Sequence, residues 1–343
     1  MQKKLLRLHE SMGKFCRKIV VLEYGTTPEE QVKNLSILNK LALSLNDGDN
    51  IYFDISHAYR SLSFYELLAV NLAKNVMMRN IRIEMVSYAM LEASRLYGGK
   101  TPIVDMTQLI ELLDWARAVD DYNRSGHFHL LLELLKGSNK IGTFFKKQMS
   151  KKVRQAFTTL VETMSANNNY GDYKHMIELI FNALTNQNIV LEHPLLLIVN
   201  KIMSQIYDFF CPYKDDNIAL LLASVLWKIR KGQIVLGALL LVDAVESVCL
   251  DILGKKFEDE EEARDMIHAK LINAYSEDKY VSRLIINYNA VRKYRNKLAH
   301  GKPVDNRMLS IHIENEAVEI LSLYTKYFAP DRPQREMLKM LFT

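Results

Sequence analysis

Short apolar runs and segments of helical pattern alternate along the first third of the chain. The runs are rich in β-branched and aromatic residues, and they are Lys18–Tyr24, Ile51–Ile55, Ile81–Ala89 and Pro102–Met106. Thr27 and Ser63 each begin a helical segment, and a glutamate follows each of them three residues later, as in a capping box. Strands separated by helices are typical of βαβ units, so we predict a largely parallel sheet here.

From Thr107 onward the pattern is helical only. Apolar residues recur three and four positions apart in Leu109–Val119, His129–Leu135, Lys151–Met164, Tyr173–Leu184, Pro194–Phe210, Asn217–Trp227, Gln233–Leu253, Asn287–Ala299 and Ile311–Phe328. We therefore predict an α/β domain over residues 1–125, a helical connecting region over 126–193 and an all-helical domain over 194–343.

The composition is that of a folded protein. The chain has 343 residues, 49% of them hydrophobic, with 45 Lys and Arg, 40 Asp and Glu and 3 Cys. These values exclude a disordered chain and a disulfide-rich scaffold. The net charge of +5 permits nucleic-acid binding without requiring it. The cysteines are odd in number and lack metal-ligand spacing, which indicates a reduced, cytoplasmic location.

The sequence also gives no sign of a membrane segment, a metal or a cofactor. Its longest apolar stretch, Ile234–Val242, is interrupted by Gly237 and is far shorter than the about 18 residues of a membrane span. It is predicted to be a buried helix. His127 and His129 form the one close histidine pair, and no cysteine or carboxylate cluster accompanies them.

The loop after the second predicted strand is the first candidate site. Its residues Ser56, His57, Tyr59, Arg60 and Ser61 combine hydroxyls, an imidazole and a guanidinium at a strand end, just before a helix. Ligands bind at the carboxyl ends of parallel strands, and a helix amino terminus favours anions. Alternatively, Arg60 pairs with Asp54 and a serine merely caps the helix.

Three ordered segments resemble one protein family. Residues 54–62 resemble the D-x-T-H-G-F-R-S-L motif of CRISPR-associated proteins with a CARF sensor domain, and residues 87–93 and 101–120 resemble two further segments of that family. The resemblance implies a Rossmann-like CARF domain that dimerises and binds a cyclic oligoadenylate, such as cyclic tetra- or hexa-adenylate, made by a type III CRISPR complex. It places that activator at Ser56, His57, Tyr59, Arg60 and Ser61.

The chain departs from the family pattern at three points. Ser56 replaces threonine and keeps the hydroxyl, whereas Ala58 replaces a glycine. The family's domain opens with an apolar strand and a glycine-containing loop, and nothing before Lys18 resembles them. We therefore expect a parallel sheet that lacks its first strand.

A second candidate site lies near the end of the chain. A helix starting at about Asn287 should end near His300, with Gly301 as its cap. Arg295 precedes His300 by five residues, which turns the two side chains about 140° apart on an ideal helix. Arg124 and His129, and Arg307 and His312, have the same spacing, so the spacing alone does not select a site. A helix end with an exposed arginine and a capping histidine is the alternative.

Of the three pairs, only Arg295 and His300 combine an asparagine, Asn296, directly after the arginine with a glycine directly after the histidine. This combination resembles the R-x4-H motif of HEPN ribonucleases, which are all-helical and follow the CARF domain in this family. The resemblance implies a metal-independent endoribonuclease that cleaves single-stranded RNA as a homodimer. Two rival functions stay open: a non-catalytic nucleotide-sensing and dimerisation module, and a constitutive, toxin-like ribonuclease with a degenerate sensor.

The chemistry of RNA suits these residue types. The 2′-hydroxyl of RNA is the nucleophile, so an enzyme has to supply a base, an acid and a cation. Histidine transfers protons near neutral pH, and arginine binds phosphate oxygens through a forked, permanently charged group. We expect Arg295 to stabilise the phosphate, His300 to transfer protons and Asn296 to orient them. Two motifs paired about a two-fold axis would supply both an acid and a base.

Overall fold

The structure, a computed structural model, describes residues 22–56, 65, 67–68, 71–72, 81–136, 150–165, 170–185, 194–254, 260–300 and 306–342. The chain forms two compact units, Met1–Glu111 and Leu112–Thr343. The first contains a small sheet, and the second is helical throughout its described residues. The molecule is thus mostly helical with one small sheet, which confirms the predicted division into an α/β part and an all-α part.

In the first unit, helix α1 (Pro28–Ser44) begins where the sequence predicts. The hydroxyl of Thr27 accepts a hydrogen bond from the Glu30 N–H, and Pro28 occupies the first turn. Glu30 bonds back to the backbone N–H and hydroxyl of Thr26 instead of Thr27, so the capping box is shifted by one residue. These hydrogen bonds lower the pKa of Glu30.

The described end of the first predicted strand does not join the sheet. Residues 22–26 form no regular element, and residues 18–21 lie outside the described part. The buried amide of Asn34 explains the difference, because it accepts from the Glu23 N–H at 2.8 Å and donates to the Glu23 carbonyl at 2.9 Å. A side chain of α1 thereby takes the place of a neighbouring strand.

The sheet has three described strands in the order β1 (Asn50–Asp54), β2 (Arg82–Ala89) and β3 (Ile103–Asp105). β1 and β2 are parallel, with Phe53 opposite Val86. β2 and β3 are antiparallel, so the prediction of a parallel sheet is wrong for the third strand. The predicted helix after Ser63 begins outside the described residues.

A short connection explains the reversed strand. A single 3₁₀ segment, Leu91–Tyr97, links β2 to β3, and Gly98 and Gly99 follow it with φ of 64° and 82°. A parallel neighbour needs a longer crossover connection that returns the chain to the end of the sheet where β2 begins. The two left-handed glycines instead turn the chain directly back along β2.

The second unit consists of α-helices that mostly follow the predicted periodicity. They are α2 (Thr107–Ser125, which begins in the first unit), α3 (His129–Lys136), α4 (Lys151–Ser165), α5 (Tyr170–Thr185), α6 (Pro194–Phe210), α7 (Asn217–Arg230), α8 (Ile234–Leu253), α9 (Glu260–Asn273), α10 (Lys279–Ala299), α11 (Asn306–Leu323) and α12 (Pro333–Met340). The bounds of α6 agree with the prediction at both ends, although α10 begins at Lys279, well before the predicted start at Asn287. Helices α9 and α12 were not predicted.

Helices α7 and α8 form a tightly packed hairpin in the core of this unit. Gly232 makes the turn with φ of 80°. At Gly237 a Cβ atom would lie 2.2 Å from Cγ1 of Ile229, so only glycine lets the two helices approach this closely. The stretch Ile234–Val242 is helical and partly to fully buried along most of its length, as predicted.

The carboxy-terminal elements close onto the same core. Helix α11 continues as a π-helical turn, Tyr324–Phe328, and the buried Tyr324 hydroxyl bonds Asp216 at 3.0 Å. Asp216 also caps α7 by accepting from two backbone N–H groups. Arg335 on α12 bonds the Phe328 carbonyl at 3.1 Å and Asp251 at 2.8 Å. These contacts join α7, α8 and α12 to the end of α11.

Candidate functional site

Helix α10 carries the predicted motif. It begins at a strong cap, since Asp278 accepts hydrogen bonds from the N–H groups of Tyr280 and Val281 at 2.9 Å each. It ends at Ala299, and His300 is the C-cap residue, with its N–H bonded to the Asn296 carbonyl at 3.1 Å. The predicted cap, Gly301, lies one residue further on, outside the described residues.

The motif residues differ in burial. Arg295 and Asn296 are half-buried, whereas His300 is exposed at the helix end. The Nε atom of Arg295 is buried and has no hydrogen-bond partner among the described residues. Helical geometry turns Arg295 and His300 about 140° apart, and no described contact joins them within one protomer. Among the described residues, no contact brings the arginine and the histidine together within one chain.

A stacked pair of rings lies beside the motif. Tyr294 and His312 on α11 stack with centroids 6.1 Å apart and planes inclined by 14°. Lys297 places its ammonium 6.0 Å from the Tyr294 centroid. This stack gives His312 a packing role between α10 and α11. The stack fixes the last turns of α10 against α11.

The two other arginine–histidine pairs differ from the motif. Arg124 bonds Asp120 at 2.9 Å, and His129 lies 3.2 Å from Glu133, so both members of that pair have a carboxylate one turn away. The side chain of Arg307 is outside the described part. By contrast, no described carboxylate forms an ion pair with Arg295 or His300. The motif therefore presents charge that the described residues do not neutralise.

A buried polar cluster supports the middle of α10, and the sequence analysis missed it. The hydroxyl of the fully buried Tyr288 donates to Oε1 of Glu246 on α8 at 2.8 Å. Nδ1 of His268 on α9 lies 2.5 Å from the same hydroxyl and 3.2 Å from the same carboxylate oxygen. Burial, together with the Glu246 carboxylate, raises the pKa of Tyr288. The cluster ties three helices together two turns before Arg295.

One feature of the sequence indicates that such a cluster exists. Glu246 is an acid in the apolar helix α8, between Val245 and Val248 in a stretch of buried residues. A buried carboxylate needs hydrogen-bond donors, so its presence predicts donors on neighbouring helices. The identity of those donors was not predictable, because Tyr288 and His268 lie 42 and 22 residues away in the sequence.

Acidic residues of α11 lie near the first half of α10. Arg283 forms a two-contact ion pair with Glu319. Glu316, one turn earlier, is half-buried, and its Oε2 has no hydrogen-bond partner among the described residues. Burial and the nearby Glu319 raise the pKa of Glu316. The negative charge at this seam thus lies near the first half of α10, away from His300.

Of the five residues predicted to bind a ligand after the second predicted strand, the structure describes only Ser56. His57, Tyr59, Arg60 and Ser61 lie outside the described residues. The hydroxyl of Ser56 donates to the Asp54 carboxylate and accepts from the Ala89 N–H at 2.8 Å. Ser56 therefore closes the end of β1 onto β2, and one lone pair of its hydroxyl is left for a ligand.

The same arrangement recurs at the end of β3. The hydroxyl of Thr107 donates to Asp105 and accepts from the Val86 N–H at 2.9 Å. In both places an aspartate ends a strand, and a hydroxyl two residues later satisfies an N–H of β2. The two Asp-x-Ser/Thr turns, at Asp54 and Asp105, were visible in the sequence and mark where the outer strands stop.

The described residues offer neither a metal site nor a membrane-spanning helix. No group of three His, Cys, Asp or Glu side chains in the described part of the chain could hold a metal ion. Among the same residues, no helix combines the length and the apolar character that crossing a membrane requires. Of the cysteines, Cys249 is fully buried, and burial raises the pKa of its thiol.

Comparison with known proteins gives one relative and no family model. No family model matches the chain. The CRISPR-associated protein MJ1674 of Methanocaldococcus jannaschii is 21% identical over 326 residues. The chain is a distant relative of a CRISPR-associated protein. The similarity covers 92% of this chain and 47% of the relative, so the chain spans about half the length of that relative. An alignment of this extent takes in parts of both compact units.

Proposed function

We propose that this chain is a CRISPR-associated, metal-independent endoribonuclease that cleaves single-stranded RNA as a homodimer. The observation that carries the proposal is the end of α10, where the exposed His300 follows Arg295 and Asn296. No described carboxylate forms an ion pair with Arg295 or His300. The helical unit around the motif agrees with the all-helical HEPN architecture that the motif implies. The similarity to a CRISPR-associated protein supports the biological setting.

The reaction follows from the residue types. The RNA 2′-oxygen attacks the adjacent phosphorus, a histidine takes its proton, and the P–O5′ bond breaks as a second histidine protonates the leaving 5′-oxygen. Arg295 stabilises the charge that develops on the phosphate, and Asn296 orients the reacting groups. The products are a 2′,3′-cyclic phosphate and a 5′-hydroxyl. Because one protomer supplies one His300, the acid and the base come from the two protomers.

The first unit is the proposed sensor. A cyclic tetra- or hexa-adenylate binds at Ser56, His57, Tyr59, Arg60 and Ser61 in the dimer. It activates cleavage only if it binds the active arrangement of the dimer more tightly than the inactive one. The hydroxyl of Ser56 retains a lone pair for this ligand beside its two contacts within the sheet.

An RNA-cleavage assay with and without activator tests the proposal. Labelled single-stranded RNA is incubated with the protein in EDTA, alone or with cyclic tetra-adenylate or cyclic hexa-adenylate. We expect cleavage that one of the two rings increases, with products ending in 2′,3′-cyclic phosphate. Equal cleavage in all samples would favour the constitutive ribonuclease. No cleavage in any sample would contradict the nuclease and favour a non-catalytic sensing module.

A further inference from the structure

A third residue extends the polar edge of α10 that ends at His300. Arg292, Asn296 and His300 are four residues apart, so they form one continuous ridge along the helix. Residues four apart on a helix have Cβ atoms about 5–6 Å from one another. Arg295 lies beside this ridge, between Arg292 and Asn296 in axial position. The motif is therefore one end of a longer polar surface.

The charge of α10 is one-sided. The helix, Lys279–Ala299, contains no Asp or Glu, and its cations are Lys279, Arg283, Arg292, Lys293, Arg295 and Lys297. Arg283 is neutralised by Glu319. The four cations of the last two turns have no ion pair with a described carboxylate. This end of the helix suits a polyanion that passes along it.

Arg292 is more buried than the exposed lysines near it, Lys293 and Lys297. It is half-buried, and its Nε atom is buried without a hydrogen-bond partner among the described residues, as is that of Arg295. Its charge also acts on Tyr288, one turn earlier, where it opposes the rise in the pKa of the tyrosine. Arg292 thus lies along α10 between Tyr288 of the buried cluster and Arg295 of the motif. Two restrained guanidinium groups on adjacent turns suit two successive phosphates.

We propose that Arg292 binds the RNA phosphate next to the scissile one and so fixes the path of the strand along α10. This inference rests on the proposed ribonuclease function, because the scissile phosphate is the one at Arg295 and His300. Arg292 is a positioning residue: it contacts the substrate backbone and leaves the proton transfers to His300. Contacts of this kind are independent of base identity.

Binding of RNA at several salt concentrations tests the role of Arg292. All proteins carry His300→Ala so that the RNA stays intact, and a labelled, unstructured single-stranded RNA is the probe in fluorescence anisotropy. Arg292→Gln should weaken binding about tenfold and reduce the slope of log affinity against log salt by about 0.7, the value for one phosphate contact. Lys279→Gln is the matched control. It removes the same charge from an exposed position of α10, about 20 Å from Arg292.

The outcomes separate RNA binding from folding and from catalysis. A slope that changes equally in Arg292→Gln and Lys279→Gln would overturn the proposed contact. Arg292→Lys retains the charge and serves as a second variant in case Arg292→Gln does not fold. It should keep the slope and lose part of the affinity. If Arg292→Lys loses thermal stability but keeps both the affinity and the slope of the parent protein, the proposal is overturned. Cleavage of the same RNA by the protein with His300 intact is measured in parallel. No cleavage there contradicts the ribonuclease, whatever the binding slopes show.

Discussion

Replacing His300 with alanine should reduce the rate of RNA cleavage by about 10²–10⁴-fold. General acid–base catalysis by one positioned side chain contributes an amount of this size. In the proposed dimer the substitution removes the acid and the base together, so the upper part of the range is expected. His300 is exposed at the end of α10 and its ring has no described packing partner, so the melting temperature should stay close to that of the wild type. Single-turnover cleavage of labelled RNA at saturating protein measures the effect.

His312→Ala is the matched control for this substitution. His312 is also exposed, follows an arginine at the same spacing and lies on the neighbouring helix. Its ring stacks on Tyr294, so its loss should lower stability slightly and leave most of the cleavage intact. Equal losses of activity in the two variants, or full activity in His300→Ala, would contradict the assignment of His300.

Tyr288→Phe should lower the melting temperature of the helical unit by about 3–12 °C. The substitution removes one oxygen atom, which donates to the Glu246 carboxylate at 2.8 Å in a buried environment. Loss of a hydrogen bond to a buried charged group destabilises by about 1.5–3 kcal/mol, and a unit of this size loses about 2–4 °C per kcal/mol. Thermal unfolding followed by circular dichroism measures the change.

Tyr294→Phe provides the comparison within the same helix. Tyr294 packs against His312 through its ring, and its hydroxyl has no described hydrogen bond. Its substitution should shift the melting temperature by no more than about 1–2 °C. If both variants unfold at the wild-type temperature, the Glu246 cluster does not stabilise α10. If Tyr288→Phe also reduces cleavage at temperatures where it is fully folded, the cluster positions the motif as well.

The helices of the second unit were predictable because their apolar faces are long and regular. The prediction for Pro194–Phe210 agrees with the structure at both ends, and most of Ile234–Val242 is partly or fully buried, as its composition indicates. Helix α9 was not predicted because its buried residues are few and its first turn is a run of glutamates. The charged residues of α9 weaken its apolar periodicity, and tertiary packing stabilises the helix instead.

The sheet was harder to predict because its topology depends on the connections. The strand positions at Ile51, Ile81 and Ile103 were each recognised to within one or two residues. Pattern alone does not give strand direction, and a 3₁₀ turn with two left-handed glycines reversed β3. Similarly, apolar character suggested a strand up to Tyr24, but the Asn34 amide satisfies the backbone there.

The candidate site was predictable only in part. The resemblance to the R-x4-H motif selected Arg295, Asn296 and His300 as candidates, and helical geometry already turned the first and last of them apart. The support beneath α10 depends on contacts between residues far apart in sequence, such as Glu246 and Tyr288, which no local pattern encodes. The proposed completion of the site by a second copy lies beyond any single-chain pattern, because it would be a property of an assembly.

Mixing active and inactive protomers tests the shared site most directly. Wild-type protein and the His300→Ala variant are combined in several ratios, subunits are allowed to exchange, and cleavage of single-stranded RNA in EDTA is measured at constant total protein. A site that needs a histidine from each protomer predicts activity that follows the square of the wild-type fraction, which is about one quarter in an equal mixture. Activity in direct proportion to the wild-type fraction, about one half in that mixture, would contradict a site built from two chains.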